Sequence, residues 1–274
     1  MKKLLAIEWL KIKDYNAFKV IGILFILGVF LANYIVYSVN KNIVGEMGQA
    51  GKMISFKPYD FVNTWQTTSY VTGYILIIPA LLLIILITNE FSFRTSRQNI
   101  IDGWSRNQFI HVKLMQAFLI AVASTILVMI TGFLFGLFSG TAISFSRFSS
   151  IVFFFLKAFT YNTLAVFISV WVRKTGFAIG LYFIYLGAEN IISQLLDILS
   201  IKLKKDGVGD FGNLGDLLPM NASDGLLAFP DNPVKSMAKM VLPSENTSLV
   251  FVFALMYLAL FIWGSRMLFI KKNL

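Results

Sequence analysis

Long apolar blocks separated by short polar stretches dominate this sequence. Six blocks are long enough to cross the hydrocarbon core of a bilayer, about 30 Å, as α-helices. They run over residues 17–38, 69–88, 109–139, 149–172, 175–199 and 247–269. The pattern predicts an all-α polytopic membrane protein with one transmembrane domain over residues 1–274. The third block is too long for an upright span, so we expect it to tilt or project into water.

The polar connections differ in length. Residues 1–16 form an N-terminal segment, residues 89–108 form a short loop, and residues 200–246 form a long one. The long loop begins polar and glycine-rich and then turns apolar again. Its second half is predicted to form short helices at the membrane face or to re-enter the membrane, which requires that protein or a wet cavity shields its backbone.

Basic residues indicate the orientation. Six spans put both termini on one side, and the formal charge on that side is +10, equal to that of the whole chain. By the positive-inside rule that side is cytoplasmic. Lys202, Lys204 and Lys205 follow the fifth span on the other side and argue against this orientation without outweighing it. Topology and anionic lipid explain the basic charge, so no nucleic-acid partner is expected. We expect a multi-pass protein of the bacterial cytoplasmic membrane.

The composition limits which kinds of catalytic and metal-binding site the chain can form. Hydrophobic residues make up 57% of the chain and charged residues 14%, against about 25% charged in soluble domains. The chain has no Cys and one His, His111, which excludes thiol chemistry and a His-based metal cluster. The glycine-rich stretch at 45–53 lacks the Gly and Ser/Thr of a P-loop. We therefore predict a chain that is not an enzyme and has no catalytic residue, cofactor or metal of its own.

Two charged residues lie deep inside predicted spans. Lys157 and Glu189 are about 20 Å from the short link at Arg173 and Lys174, by the rise of a helix. A charge at that depth needs a partner, so we predict that these two pair, either as a structural pin or as a polar patch on a substrate path. Asn190 extends the polar character of the fifth span, as do Ser193 and Gln194.

Glycines at helical spacing mark two packing faces. The first contains Gly132, Gly136 and Gly140, and the second contains Gly176 and Gly180. Such spacing lets another backbone approach closely. We favour packing within one chain over a dimer seam.

The loop 89–108 is basic and carries apolar residues among polar ones, including Ile100, Ile101 and Trp104. That pattern is typical of an amphipathic helix lying along the membrane, or of a knob that docks a cytoplasmic partner.

A spaced motif runs through this loop and into the third span. Glu90, Thr95, Arg106 and Lys113 follow the order E-x4-T-x10-R-x6-K. This order resembles the segment after the second span in ABC-2 type permeases. Glu8 and Lys11 resemble their opening E-x2-K element, which implies that residues 1–16 form an interfacial helix before the first span. One departure is Gly103 where the family often has Pro.

The resemblance implies a permease that dimerises with itself or with a similar chain, and that binds a separate ATP-binding cassette ATPase, which would hold ATP and Mg. The loop would be the coupling helix in an ATPase cleft. Contact residues would be Arg94, Thr95, Asp102, Ser105 and Arg106, with Glu90 at the helix junction paired to Arg106 or Arg94. Spans one, two and five would border the path, residues 200–246 would form an outer lid, and export would be the usual direction.

Three other classes of protein remain open. A gradient-driven secondary transporter could use Lys157 and Glu189. A membrane-embedded enzyme would need paired acids, a His cluster or a Ser–Lys dyad within the spans, and the sequence offers none. A non-transporting cassette subunit would use ATP to move an outer partner. The layout does not identify a substrate.

Overall fold

A computed structural model describes residues 2–46, 57–231, 243–244 and 246–271. It is 80% helical, and the described residues contain no β-strand. Residues 47–53 of the glycine-rich stretch and residues 232–242 of the long loop lie outside the described part. The helices are α1 (Lys2–Ile12), α2 (Asn16–Glu46), α3 (Phe61–Gly73), α4 (Ile77–Ser92), α5 (Thr95–Ile101), α6 (Arg106–Phe138), α7 (Ser149–Val172), α8 (Thr175–Lys205), α9 (Asn221–Asp224) and α10 (Thr247–Lys271), with a 3-10 turn at Leu214–Leu217.

Five helices in the described part are long and apolar enough to cross a membrane: α2, α6, α7, α8 and α10. Helices α3 and α4 make a sixth candidate as one bent span, with 45° between them. The prediction of a multi-spanning helical membrane protein is therefore confirmed. Helix α6 has 33 residues, or about 50 Å, which exceeds the hydrocarbon thickness.

The second predicted span, 69–88, is not one straight helix. Helix α3 ends at Gly73, and α4 begins at Ile77 with Pro79 in its first turn, where a missing N–H is tolerated. A Cβ at Gly73 would lie 3.0 Å from Nζ of Lys157 on α7. The bend therefore occurs where the chain passes closely over a buried lysine.

Helix α7 is the centre of the bundle. Its most apolar stretch is 72% buried, against 17% for α2 and α8 and 11% for α10. Phe154, Leu164, Ala165 and Val166 of α7 are almost fully buried in the core. A helix that is apolar all round belongs inside a bundle, whereas the peripheral helices bury one face.

Contacts place the first and last helices at the same end of the bundle. Lys113 of α6 contacts Glu8 of α1, and Phe109 of α6 stacks on Phe269 of α10 with ring centroids 4.7 Å apart. The basic loop between α4 and α6 and the α7–α8 link with Arg173 also lie there, so we call it the basic end. We call the other end of the bundle the opposite end.

Candidate functional site

The loop between α4 and α6 presents a short helix at the basic end. Arg94 precedes α5 with a φ of +58°, and Gly103 follows it with a φ of +99°. Proline is fixed near −65°, so the Gly at 103 is the residue that this turn requires. Ser105 and Gln108 then form a reciprocal capping box that starts α6.

Helix α5 buries one side and exposes the other. Ser96, Asn99 and the following Trp104 are buried, whereas Phe93 and Ile101 are 75% and 77% exposed. The exposed polar residues of the loop include Arg94, Thr95, Arg97, Gln98 and Asp102. Trp104 is covered, and Lys11 lies 5.5 Å from its ring centroid. The loop therefore displays a mixed apolar and cationic surface on a fixed base.

The base is a buried network of charges from three helices. Nζ of Lys113 lies 2.5 Å from Glu8 of α1 and 2.7 Å from Glu90 of α4. Lys11 bonds Glu8 at 2.8 Å and donates to Asn99 of α5 at 3.3 Å. Lys113 and Glu8 are 1% and 2% exposed. Each of the four charged residues contacts two others, so the three helices are joined as one unit, and Lys11 connects that unit to α5 through Asn99.

The expected pairing of Glu90 with Arg94 or Arg106 is wrong. Glu90 contacts Lys113 at 2.7 Å and Lys11 at 3.7 Å. Arg94 is exposed in the left-handed region, and Arg106 donates to the carbonyl of Ile270 at 2.9 Å. Lys113 lies two turns inside α6 and faces α4, so it reaches the carboxylate first.

The other predicted contact residues serve the geometry of the loop. Thr95 donates to the carbonyl of Glu90 at 3.3 Å. Asp102 accepts a hydrogen bond from Gln98 at 2.9 Å, and Ser105 caps α6. His111 is exposed and bonds the carbonyl of Asn107 at 2.7 Å, which fits a structural role.

Burial and nearby charges shift the pKa values of two groups at the basic end, Glu8 and Arg173. Burial acts to raise the pKa of Glu8, but the charges and hydrogen bonds of Lys113 and Lys11 outweigh it and leave the pKa below its ordinary value. Burial lowers the pKa of Arg173, and the nearby charges of Arg97 and Arg106 lower it further. The loop thus places Arg97 and Arg106 near the partly buried Arg173, and this end of the molecule has a local excess of positive charge.

The predicted pair of Lys157 and Glu189 is also wrong. Nζ of Lys157 lies 3.2 Å from Asp224 and over the ring of Tyr161 at 5.4 Å. Oε1 of Glu189 accepts hydrogen bonds from the backbone N–H groups of Met220 and Asn221, at 2.5 and 2.9 Å. Helix α9 stands between the two charges and supplies a partner to each. Glu189 binds its N-terminal N–H groups, which attract anions, and Asp224 at its other end binds Lys157.

Part of the 200–246 loop lies inside the bundle at the opposite end. Met220, Ala222, Ser223 and Leu227 are buried. Asp197 of α8 accepts from the backbone of Gly215 at 3.1 Å, and Tyr257 of α10 donates to the carbonyl of Leu217 at 3.1 Å. Asp224 was missed by sequence reasoning. The signal was present, because an acid between apolar runs in an outer loop can pair with a buried lysine.

The two glycine faces behave differently. Gly132 and Gly136 pack α6 against α3, and a Cβ at Gly136 would lie 2.7 Å from the ring of Phe61. Gly140 instead follows the end of α6 with a φ of +71°. Gly176 and Gly180 have open space where a Cβ would be, so they do not pack against another helix of the described residues, contrary to the expectation.

The open glycines belong to a longer exposed seam on α8. Its members alternate in steps of four and three residues, the spacing of a coiled-coil contact line, and are Gly176, Gly180, Phe183, Gly187, Asn190 and Gln194. Helix α8 buries the opposite side, which includes Ala178, Tyr182 and Glu189. Gln194 donates to Asn190 at 2.6 Å, so two amides lie exposed along the middle of an apolar helix. We call this line the α8 seam.

The fold defines a multi-spanning helical membrane protein. Residues 49–274 match the family described as "Protein of unknown function (DUF2705)", so the chain belongs to that family. No curated protein matches the chain. Within the described residues, no group of three or more His, Cys, Asp or Glu side chains could hold a metal ion.

Proposed function

We propose that this protein is the non-catalytic permease subunit of an ABC-2 type transporter, coupled to a separate cytoplasmic ATPase. The observation that carries the proposal is the buried network under α5. It connects an exposed seven-residue helix to α1, α4 and α6 through Glu8, Lys11, Glu90, Asn99 and Lys113. A partner that moves α5 would therefore move the ends of several spans together.

The exposed side of α5 has the chemistry of a docking surface. Phe93 and Ile101 offer apolar anchors, and Arg94 and Arg97 flank them. Aromatic and Arg residues dominate the energy of protein interfaces. The partner is expected to offer an acidic cleft with an apolar floor, on the side of the membrane that the positive-inside rule makes cytoplasmic.

The second permease chain is expected to pack along the α8 seam. Amides that face hydrocarbon cost free energy unless they find partners. After their mutual bond, Asn190 keeps amide hydrogens and Gln194 keeps a free acceptor oxygen. A two-fold related copy presents the same groups in return, so the seam complements itself. Gly176, Gly180 and Gly187 would let the two helices approach closely.

The opposite end would then be the closed exit of the path. Residues 214–231 are held by Lys157, Glu189, Asp197 and Tyr257. Outward movement of cargo between α2, α4 and α8 would require this segment to shift. Export from the bacterial cytoplasm is the direction that the family resemblance implies.

Co-purification with the ATP-binding cassette subunit encoded beside this chain tests the proposal. Arg97→Glu and Ile101→Asp should each reduce co-purification and stimulated ATP hydrolysis. Lys41→Glu is the matched control, because Lys41 is an exposed cation at the end of α2 that lies away from α5. Full binding by both α5 variants would overturn the docking surface. If no cassette subunit binds, a gradient-driven mechanism centred on Lys157 and Asp224 becomes the better reading.

A further inference from the structure

An apolar groove runs along the side of the bundle between α1, α2, α4 and α6. Its volume is about 540 Å³. Apolar side chains make up nearly the whole wall, and Trp9, Ile26 and Leu119 are 58%, 46% and 48% exposed. The groove therefore opens sideways, toward the bilayer, and does not lead into the core.

The groove has the depth of one leaflet. On α6 it extends from Gln116 to Ile130, which is about 21 Å along a helix. One leaflet with its headgroup region is about 20–22 Å thick. The Gln116 end lies beside α1 at the basic end, where the headgroups of that leaflet would be.

A smaller chamber of about 210 Å³, lined by charged, amide and apolar side chains, adjoins this end. Glu8 and Gln116 line both spaces. Nε2 of Gln116 donates to Glu8 at 2.8 Å, but its Oε1 has no hydrogen-bond partner although the residue is only 7% exposed. Oε2 of Glu90, which also lines the chamber, is buried without a partner. Neither oxygen has a hydrogen-bond donor among the described residues, so a ligand that donates hydrogen bonds would satisfy two buried acceptors at one site.

We propose that the groove binds a resident bilayer phospholipid with a primary ammonium headgroup, of the phosphatidylethanolamine class. The ammonium would donate to Gln116 Oε1 and Glu90 Oε2. Its phosphate would face Lys11, whose side chain is 32% exposed at the edge of the chamber, and one acyl chain would fill the groove.

Charge selects this lipid over others. Glu8, Glu90, Lys11 and Lys113 sum to zero, which matches a zwitterionic headgroup better than an anionic one. Phosphatidylcholine has the same charge, but its trimethylated nitrogen is bulkier and has no hydrogen to donate. The inference goes beyond the proposed function and does not depend on it, because it needs no ATPase and no second permease chain.

The test compares phosphatidylethanolamine and phosphatidylcholine with identical acyl chains, added to the detergent-purified full chain and counted by native mass spectrometry. We expect the ethanolamine lipid to bind about tenfold more tightly, the effect of one good hydrogen bond to a charged group. Equal binding of the two lipids would overturn the proposal.

Two variants test the headgroup site and the acyl-chain groove independently. Gln116→Leu should reduce the preference between the two lipids, because it removes one of the two acceptors and leaves Glu90 Oε2. Gly22→Leu should weaken binding of both, because Gly22 lines the groove and a Cβ there meets no atom within 4 Å, so the new side chain fills the groove without a clash in the fold. Ala259→Leu, on the exposed face of α10, is the matched control. Wild-type lipid binding by Gly22→Leu would contradict the assignment even if Gln116→Leu failed to fold.

Discussion

Lys113 and Glu8 are 105 positions apart in the chain and form an almost completely buried ion pair. The pair fixes the N-terminal helix α1 to the start of α6. Because Glu90 shares the same lysine, α4 is held at the same point. The loop that carries α5 runs between α4 and α6, so both of its anchors belong to this one network.

Removal of Lys113 should strongly destabilise the protein. Lys113→Met leaves two buried carboxylates without their shared cation, and loss of one partner of a buried pair costs about 3–5 kcal/mol. Thermal unfolding in detergent measures the change. Lys13→Met, which removes an exposed 3.8 Å contact with Asp14, should change stability by less than about 1 kcal/mol. Similar melting temperatures for the two variants would contradict the structural role of Lys113.

The network also predicts an acid sensitivity. The pKa of Glu8 is lowered from its ordinary value of 4.5, so its contribution to stability is complete above that value and is lost as the pH falls below it. The melting temperature of the wild type should therefore fall more steeply below pH 4.5 than that of Glu8→Gln. At neutral pH the Glu8→Gln variant should be the less stable of the two. Parallel pH profiles for the two proteins would show that Glu8 does not contribute in this way.

The Lys157–Asp224 pair should control access to the segment inside the opposite end. The chain has no Cys, so Ser223→Cys, at a site with 0% exposure, reports access to a water-soluble maleimide. Adding Lys157→Met should raise the labelling rate at least about tenfold, since the lost contact exceeds about 1.4 kcal/mol. Ser146→Cys, at an exposed site, should label equally with or without Lys157. An unchanged rate at position 223 would mean that Asp224 does not hold the segment.

Single cysteines along α8 should reveal the second chain. Gly187→Cys, Asn190→Cys and Gln194→Cys should form disulfide-linked dimers in membranes, because the facing Cβ atoms would approach within about 4.5 Å. Ile192→Cys and Leu195→Cys lie at the same depth and are exposed, but point away from the seam and should stay monomeric. Cross-linking without this periodicity would place the dimer contact elsewhere.

Sequence reasoning predicted the helical class and the candidate spans, because long apolar blocks have few other structures available in a membrane. It also found Glu8, Lys11, Glu90 and Lys113 as motif positions without predicting that they meet. Helical rise gives the depth of a residue, whereas the direction in which its side chain points depends on tertiary packing. The pairing of Lys157 with Glu189 was predicted from their equal depth alone, and depth gives no sign that α9 lies between them.

The bend after Gly73 also depends on tertiary structure that hydropathy does not show. The block 69–88 is continuously apolar, so hydropathy alone predicts one helix. The break lies where Gly73 passes close to Lys157, a residue far along the chain whose position hydropathy does not give. The α8 seam, in contrast, can be seen in the sequence once the buried face of that helix is known.

The position of α9 has a consequence for how the chain is made. Helices α7 and α8 leave the ribosome before residues 220–224, and Glu189 precedes its partner Asn221 by 32 positions. During synthesis both Lys157 and Glu189 must therefore wait without their final partners. The two helices are expected to remain beside the insertion machinery or its water-filled channel until the segment after α8 arrives. A chain that stops before Met220 would keep two uncompensated charges and become a substrate for membrane quality control.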